Sequence, residues 1–183
     1  MKHIGTQYIE TERLILRQFA LADAQAMFDN WASDDEVTKF LTWPTHADVS
    51  VTEGIIREWV SQYGDDIYYN WAIVLKEHGP EPVGNINVAH WHENGDTPEI
   101  GYCMGRRWWH RGIMTEALGA VLDFLFERVG VEQIVALHDT NNPHSGGVMR
   151  KCGMVFDGVQ EKAGKNNQGV VDMARYVLKA GDR

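Results

Sequence analysis

Short apolar runs of strand period alternate along this chain with stretches of helical period, and few architectures accept that alternation. Residues 13–17, Arg-Leu-Ile-Leu-Arg, read as a strand, and residues 21–31 place Ala24, Met27, Phe28 and Trp31 on one helical face. A break follows at Thr42-Trp43-Pro44-Thr45. Ser50 and Glu53 then stand at capping-box spacing, ahead of a helix carrying Ile55, Ile56, Trp59, Val60 and Tyr63 on one side. Residues 71–75 and 82–88 read as strands, and the Gly95-Asp96 turn leads into another at 99–104. From Gly112 a helix runs through Arg128, with Met114, Leu118, Val121 and Leu125 facing inward and Gly130 as its stop. Residues 133–137 read as a buried strand, and 145–151 as a short helix stopped by Gly153. Two last strands, 155–161 and 170–178, flank the turn Gly164-Lys165-Asn166-Asn167. Elements interleaved in this way specify an α/β domain built on a mixed sheet.

The chain has 183 residues and shows no repeat, low-complexity tract or linker, so residues 1–183 are read as one domain. A domain near this size buries about 70% of its unfolded surface. Asp and Glu number 26 against 17 Lys and Arg, a net charge of −9. Phosphate neutralisation needs clustered basic residues, so nucleic acid is excluded as the main partner; cationic partners such as amines and basic proteins are favoured. Cys103 and Cys152 form no metal or disulfide pattern, and the N-terminus has no apolar signal core. No apolar run reaches membrane-spanning length. The expectation is a cytoplasmic protein with no membrane association.

The segment 98–116, Pro-Glu-Ile-Gly-Tyr-Cys-Met-Gly-Arg-Arg-Trp-Trp-His-Arg-Gly-Ile-Met-Thr-Glu, takes a strand through an arginine-containing loop into the long helix. A helix start offers unpaired N–H groups and a positive dipole end, which together bind phosphate oxygens. Gly112 permits close backbone approach, and Arg106, Arg107 and Arg111 offer charge-assisted contacts. Neither the Walker pattern nor the dinucleotide GxGxxG is present. On these residues alone, an anion site and a turn with a solvated face both remain open.

Trp-His-Arg-Gly-Ile-Met-Thr-Glu-Ala, residues 109–117, resembles the Trp-Gly-Lys-Gly-Tyr-Ala-Thr-Glu-Ala element of the GCN5-related N-acetyltransferases (GNAT), in the RimJ/RimL-like branch of ribosomal-protein N-terminal acetyltransferases. Four further segments are similar in order and spacing: residues 11–17, the Leu41-Thr42-Trp43-Pro44 loop, Glu99-Ile100-Gly101-Tyr102, and Asn142-Pro143-His144-Ser145 followed by Lys151-Cys152-Gly153-Met154. The resemblance spans residues 9–178.

That resemblance implies a central sheet that splays between two parallel strands, here 99–104 and 133–137, with acetyl-CoA in the cleft. The pantetheine arm is then expected along Tyr102, Cys103 and Met104. The pyrophosphate is expected on the amides of His110, Arg111, Gly112, Ile113, Met114 and Thr115, with Arg107 nearby. Asn142 would meet the pantetheine and Ser145 the thioester sulfur. A homodimer is compatible with the resemblance.

An amine attacks a thioester only when neutral. About a tenth to a fifth of a peptide α-amine is neutral at pH 7, and about a few ten-thousandths of lysine. A base is therefore useful, and Glu99 is the candidate, weighed against an exposed strand-end carboxylate. A backbone N–H near Cys103 or Met104 would polarise the acetyl carbonyl. Ser145 resembles the branch's proton donor to the departing thiolate, weighed against a helix N-cap or first-turn role. Other branches place a tyrosine where this chain has Met149.

The sequence departs from the pattern at His110, where Gly is common, at Met114, where a small residue is common, and at Met154, where Phe is usual. The first two would shift or weaken pyrophosphate binding; the third is a core exchange. His90 and His92 share a strand face but have no third ligand, so no metal is expected and they read as surface histidines. Residues 143–147 lack the first glycine of a hydrolase elbow. Cys103 reads as a buried thiol rather than an acyl carrier. Trp31, Trp59 and Trp71 read as core, and Trp43 as the candidate lining of the acceptor pocket. Glu116 is assigned only a favourable place at a helix start. The expected acceptor is a primary amine, at a peptide N-terminus or on a small molecule such as an antibiotic. A non-catalytic acyl-CoA sensor is the reading from another class.

Overall fold

The computed structural model describes residues 1–92 and 95–182. Among the described residues, eight strands form one sheet in the order β1-β2-β3-β4-β5-β6-β8-β7. They are β1 (Ile9–Glu10), β2 (Leu14–Arg17), β3 (Asn70–Leu75), β4 (Pro82–His92), β5 (Thr97–Met104), β6 (Gln133–Asp139), β7 (Val155–Asn166) and β8 (Gly169–Lys179). Neighbouring strands run antiparallel except β5 and β6, which are parallel. The helices are α1 (Ala24–Met27), α2 (Asp35–Thr38), α3 (Val49–Gln62), α4 (Ile113–Phe124) and α5 (Pro143–Lys151).

Helices cover both faces of the sheet, and β3 shows why its sequence is apolar without alternation. Trp71, Ile73 and Leu75 join the large core under α4, while Ala72 joins a smaller core with Phe19, Met27, Trp31 and Ile56. Every residue of β3 is buried, as a strand covered on both faces requires. The inward positions read for the helix after Gly112 hold: Met114, Leu118 and Val121 in α4 are buried, as is Leu125 in the π turn (Leu125–Val129) that replaces the last α turn expected. Gly130 and Gly153 take positive φ where the two helices stop.

Three local expectations are corrected. The helix over 21–31 is not continuous; it opens as a 3-10 turn, becomes α1, and widens into a π turn over Phe28–Ala32. The wider turn buries Trp31 and Ala32 in succession. α3 is capped by Asp48 rather than Ser50: the Asp48 carboxylate accepts from the Ser50 amide at 2.9 Å. The last hairpin turns at Asn167-Gln168, because Asn166 pairs with Gly169 and leaves Gly164 and Lys165 inside β7.

The splay lies where it was expected. β5 and β6 pair only through Glu99 with Val135 and Ile100 with Ala136. Beyond Ile100, β5 runs on to Met104 and β6 to Asp139 without a ladder between them. Among the described residues, no helix is long and apolar enough to cross a membrane.

Candidate active site

The start of α4 forms one wall of this gap. Its first intrahelical bond is Glu116 N–H to the Gly112 carbonyl at 3.1 Å. Among the described residues, the amides of Gly112, Ile113, Met114 and Thr115 therefore have no acceptor, which is the arrangement that receives an anion. Gly112 holds φ +72°. His110 also sits in the left-handed region, at φ +59°, which explains why glycine suits that position. The Ile113 and Met114 side chains are buried in the large core, so only their backbone faces the loop and Met114 adds no bulk there.

The arginines divide. Arg106 bonds Asp34 at 2.6 Å and Arg111 bonds Glu77 at 2.7 Å, so both guanidinium groups are held by surface carboxylates. Arg107 lies over the Trp108 ring at 5.6 Å. Glu116 does more than favour the helix dipole. It accepts from Thr11 Oγ1 at 2.6 Å, Arg13 N at 2.9 Å and Arg13 Nε at 2.6 Å, fastening α4 to the turn before β2. Burial raises this carboxyl, but the Thr11 and Arg13 bonds outweigh it and hold it below its usual value.

Across the gap stands α5. Asn142 precedes it, and the Asn142 side-chain amide has no hydrogen bond among the described residues. Ser145 lies in the first turn, but its hydroxyl does not cap the helix; it donates to Tyr102 Oη at 3.0 Å. Tyr102 Oη in turn donates to the Ser145 carbonyl at 3.0 Å. Tyr102 was expected to contribute backbone only; its side chain joins β5 to α5. His144 meets His110 edge-on, with ring centroids 5.0 Å apart. The Met104 carbonyl accepts from Trp109 Nε1 at 2.7 Å.

The other sheet face carries Glu99, Gly101 and Cys103. Cys103 Sγ donates to Asn85 Oδ1 at 2.9 Å, and burial pushes its thiol up to about 12, so it is held protonated. Glu99 is partly buried, and its Oε2 lies 2.6 Å from His92 Nε2. His90 and His92, read as surface histidines, thus flank the candidate base. No group of three or more His, Cys, Asp or Glu residues among those described is arranged to hold a metal. Trp43 is half-buried against the smaller core, which Cys103 also touches. Its loop is tied to the β7–β8 turn by Asn167. The Asn167 amide N–H donates to the Leu41 carbonyl at 3.2 Å, and its side chain donates to the carbonyls of Thr38 and Trp43, each at 2.8 Å. Nothing local in the sequence announces Asn167, because its partners lie on the far side of the chain.

A mixed sheet split between two parallel strands, with unpaired helix-start amides beside the split, is the architecture of an acyl-CoA-dependent transferase. Residues 13–155 match the acetyltransferase (GNAT) domain, and the chain belongs to that family. It is an acetyl-CoA-dependent N-acetyltransferase. An uncharacterized N-acetyltransferase of Bacillus subtilis (strain 168), YoaA, is 28% identical over 82% of this chain and 84% of its own. A GNAT-family acetyltransferase structure from Bacillus anthracis superposes with a TM-score of 0.83 at 24% identity, covering 96% of this chain and 99% of that one. The ribosomal-protein-S5-alanine acetyltransferase of Vibrio fischeri superposes with a TM-score of 0.82 at 17% identity, covering 96% and 98%. At these identities the structural likeness is one of fold.

Proposed function

We propose that this enzyme acetylates the N-terminal α-amine of a peptide or protein, with Glu99 as the base that takes the amine proton. The observation that carries this reading is the place of Glu99. It belongs to the short β5–β6 ladder, one residue before the strands part, with a partly exposed carboxylate on the face opposite α4. An acceptor approaching from that face meets the base first, and the donor lies in the gap beyond.

The coenzyme supplies an acetyl thioester. The amides of Gly112, Ile113, Met114 and Thr115 receive its pyrophosphate, with His110, Arg107 and Arg111 around them. The backbone of Tyr102, Cys103 and Met104, paired with β4 but without a partner on the β6 side, receives its pantetheine arm, as does the free Asn142 amide. Glu99 removes the proton that keeps the acceptor cationic. The Ser145 hydroxyl supplies a hydrogen bond to the departing sulfur. Trp43 forms part of the acceptor wall.

The net charge of −9 and the likeness in fold to a ribosomal-protein-S5-alanine acetyltransferase support a basic peptide terminus. The chemistry agrees, since an α-amine is neutral about several hundred times more often than lysine at pH 7. Coenzyme A thiol release, measured against peptides with free and blocked N-termini, a blocked lysine peptide and small polyamines, tests this. Release only with free N-termini is the expected result. Release only with polyamines makes the protein a small-molecule acetyltransferase, and coenzyme binding without release from any amine leaves the sensor reading.

A further inference from the structure

We infer that His92 is the positioning residue for Glu99, brought to it by a bulge in β4. The inference rests on the reading of Glu99 as the base. β4 and β5 pair Val88 with Ile100 and then His90 with Glu99, so one extra residue is inserted in β4 between these pairs. In an unbroken antiparallel register Ala89 would stand opposite Glu99, and Trp91 opposite Thr97. His90 and His92 would then point to the other face of the sheet. A one-residue slip exchanges the faces of everything that follows it. The bulge therefore packs Trp91, partly buried, against the large core and places both imidazoles on the face that carries Glu99.

The local geometry gives this placement a use. His92 Nε2 is 2.6 Å from Glu99 Oε2, while Oε1 has no hydrogen-bond partner among the described residues. With the carboxylate ionised, Nε2–H is the donor. That bond fixes the carboxylate's rotamer and leaves Oε1 aimed at the acceptor. His90 packs edge-on against His92, with ring centroids 4.5 Å apart, and limits the imidazole's own rotation. Opposite Glu99, β6 sets the uncharged Val135. Gly101, the next residue on the same face of β5, adds no side chain that would crowd the carboxylate; a β-carbon there would meet Asn87 Oδ1 at 3.2 Å.

The test is a double-mutant cycle on the full chain, read as steady-state thiol release with the amine panel named above. His92→Ala should lower kcat by about ten- to a hundredfold, the cost of a misplaced reacting group, with KM for acetyl-CoA changed by less than about twofold. His92→Gln, which keeps an N–H donor, should recover most of the loss. In a Glu99→Gln background, His92→Ala should change kcat by less than about twofold, because the two residues act as a unit. Unchanged kcat in His92→Ala, with turnover still lost in Glu99→Gln, overturns the role of His92 and leaves the base in place. Unchanged kcat in Glu99→Gln overturns the base and this inference with it. Equal losses from His92→Ala in both backgrounds show that His92 acts without Glu99 and also overturn it, as does the absence of thiol release from every amine.

Discussion

Tyr102 and Ser145 exchange two hydrogen bonds across the split sheet, the phenol donating to the serine carbonyl and accepting from its hydroxyl, each at 3.0 Å. Burial holds the Tyr102 phenol well above its usual value, so the folded protein resists its ionisation. The stability this contributes is fully present below the unfolded tyrosine value, about 10, and is lost as pH rises above it. Denaturant titrations from pH 8 to 11 should show stability falling over the last unit, with a smaller fall in Tyr102→Phe. That variant should also cost about 1–2 kcal/mol at pH 8.

Ser145→Ala removes the donor proposed for the departing sulfur while leaving the Tyr102 bond to the carbonyl intact. Turnover should fall by about ten- to a hundredfold. Acetyl-CoA affinity measured by calorimetry should stay within about twofold, the signature of a group used in the chemical step. A large loss of affinity with unchanged turnover would make Ser145 a binding residue instead.

His110 carries a side chain at φ +59°, where glycine is less strained. His110→Gly should therefore raise stability by about 0.5–1 kcal/mol in urea unfolding, unless the lost packing against His144 offsets it. Acetyl-CoA affinity should change little, because the unpaired amides that follow are unaltered.

Gly146 sits under His138: a β-carbon at position 146 would lie 2.5 Å from the His138 imidazole Nε2 and 3.1 Å from Tyr176 Oη. Gly146→Ala should cost about 1–3 kcal/mol by overpacking. It should also reduce turnover, since the shift moves the α5 turn that carries Ser145. Thermal unfolding and thiol release check the two effects separately.

Burial pushes the thiols of Cys103 and Cys152 up to about 12 and about 11. Cys152 also donates to the Thr115 carbonyl at 3.3 Å. A thiol-exchange reagent at pH 8 should label neither residue in the folded protein and both in urea, because the thiolate is the reactive form. Rapid labelling of Cys103 in the native protein would reopen an acyl-carrying role.

Legibility in the sequence followed locality. The strand–loop–helix over 98–116, the inward face of α4 and the stops at Gly130 and Gly153 rest on neighbouring residues, and the structure keeps them. The parted strands came through resemblance and lie where it put them. His92 was missed because its face depends on the bulge after Val88, and nothing in an alternating pattern marks an extra residue. Asp48 took the cap assigned to Ser50 because two polar residues only two positions apart offered the same chemistry. Asn167 and Glu116 act on segments remote in the chain, so their roles depend on the finished fold.

The Asn167 clamp implies a division of labour between main chain and side chain. In the proposed reading the groove for the donor's pyrophosphate and pantetheine is drawn largely by peptide groups, which every residue type supplies. The proposed acceptor wall instead includes the side chain of Trp43, whose loop Asn167 ties to the β7–β8 turn. Replacing side chains of that wall would rewrite the choice of amine while the donor groove stays legible to the same coenzyme, so selectivity in such a scaffold is free to drift at constant chemistry.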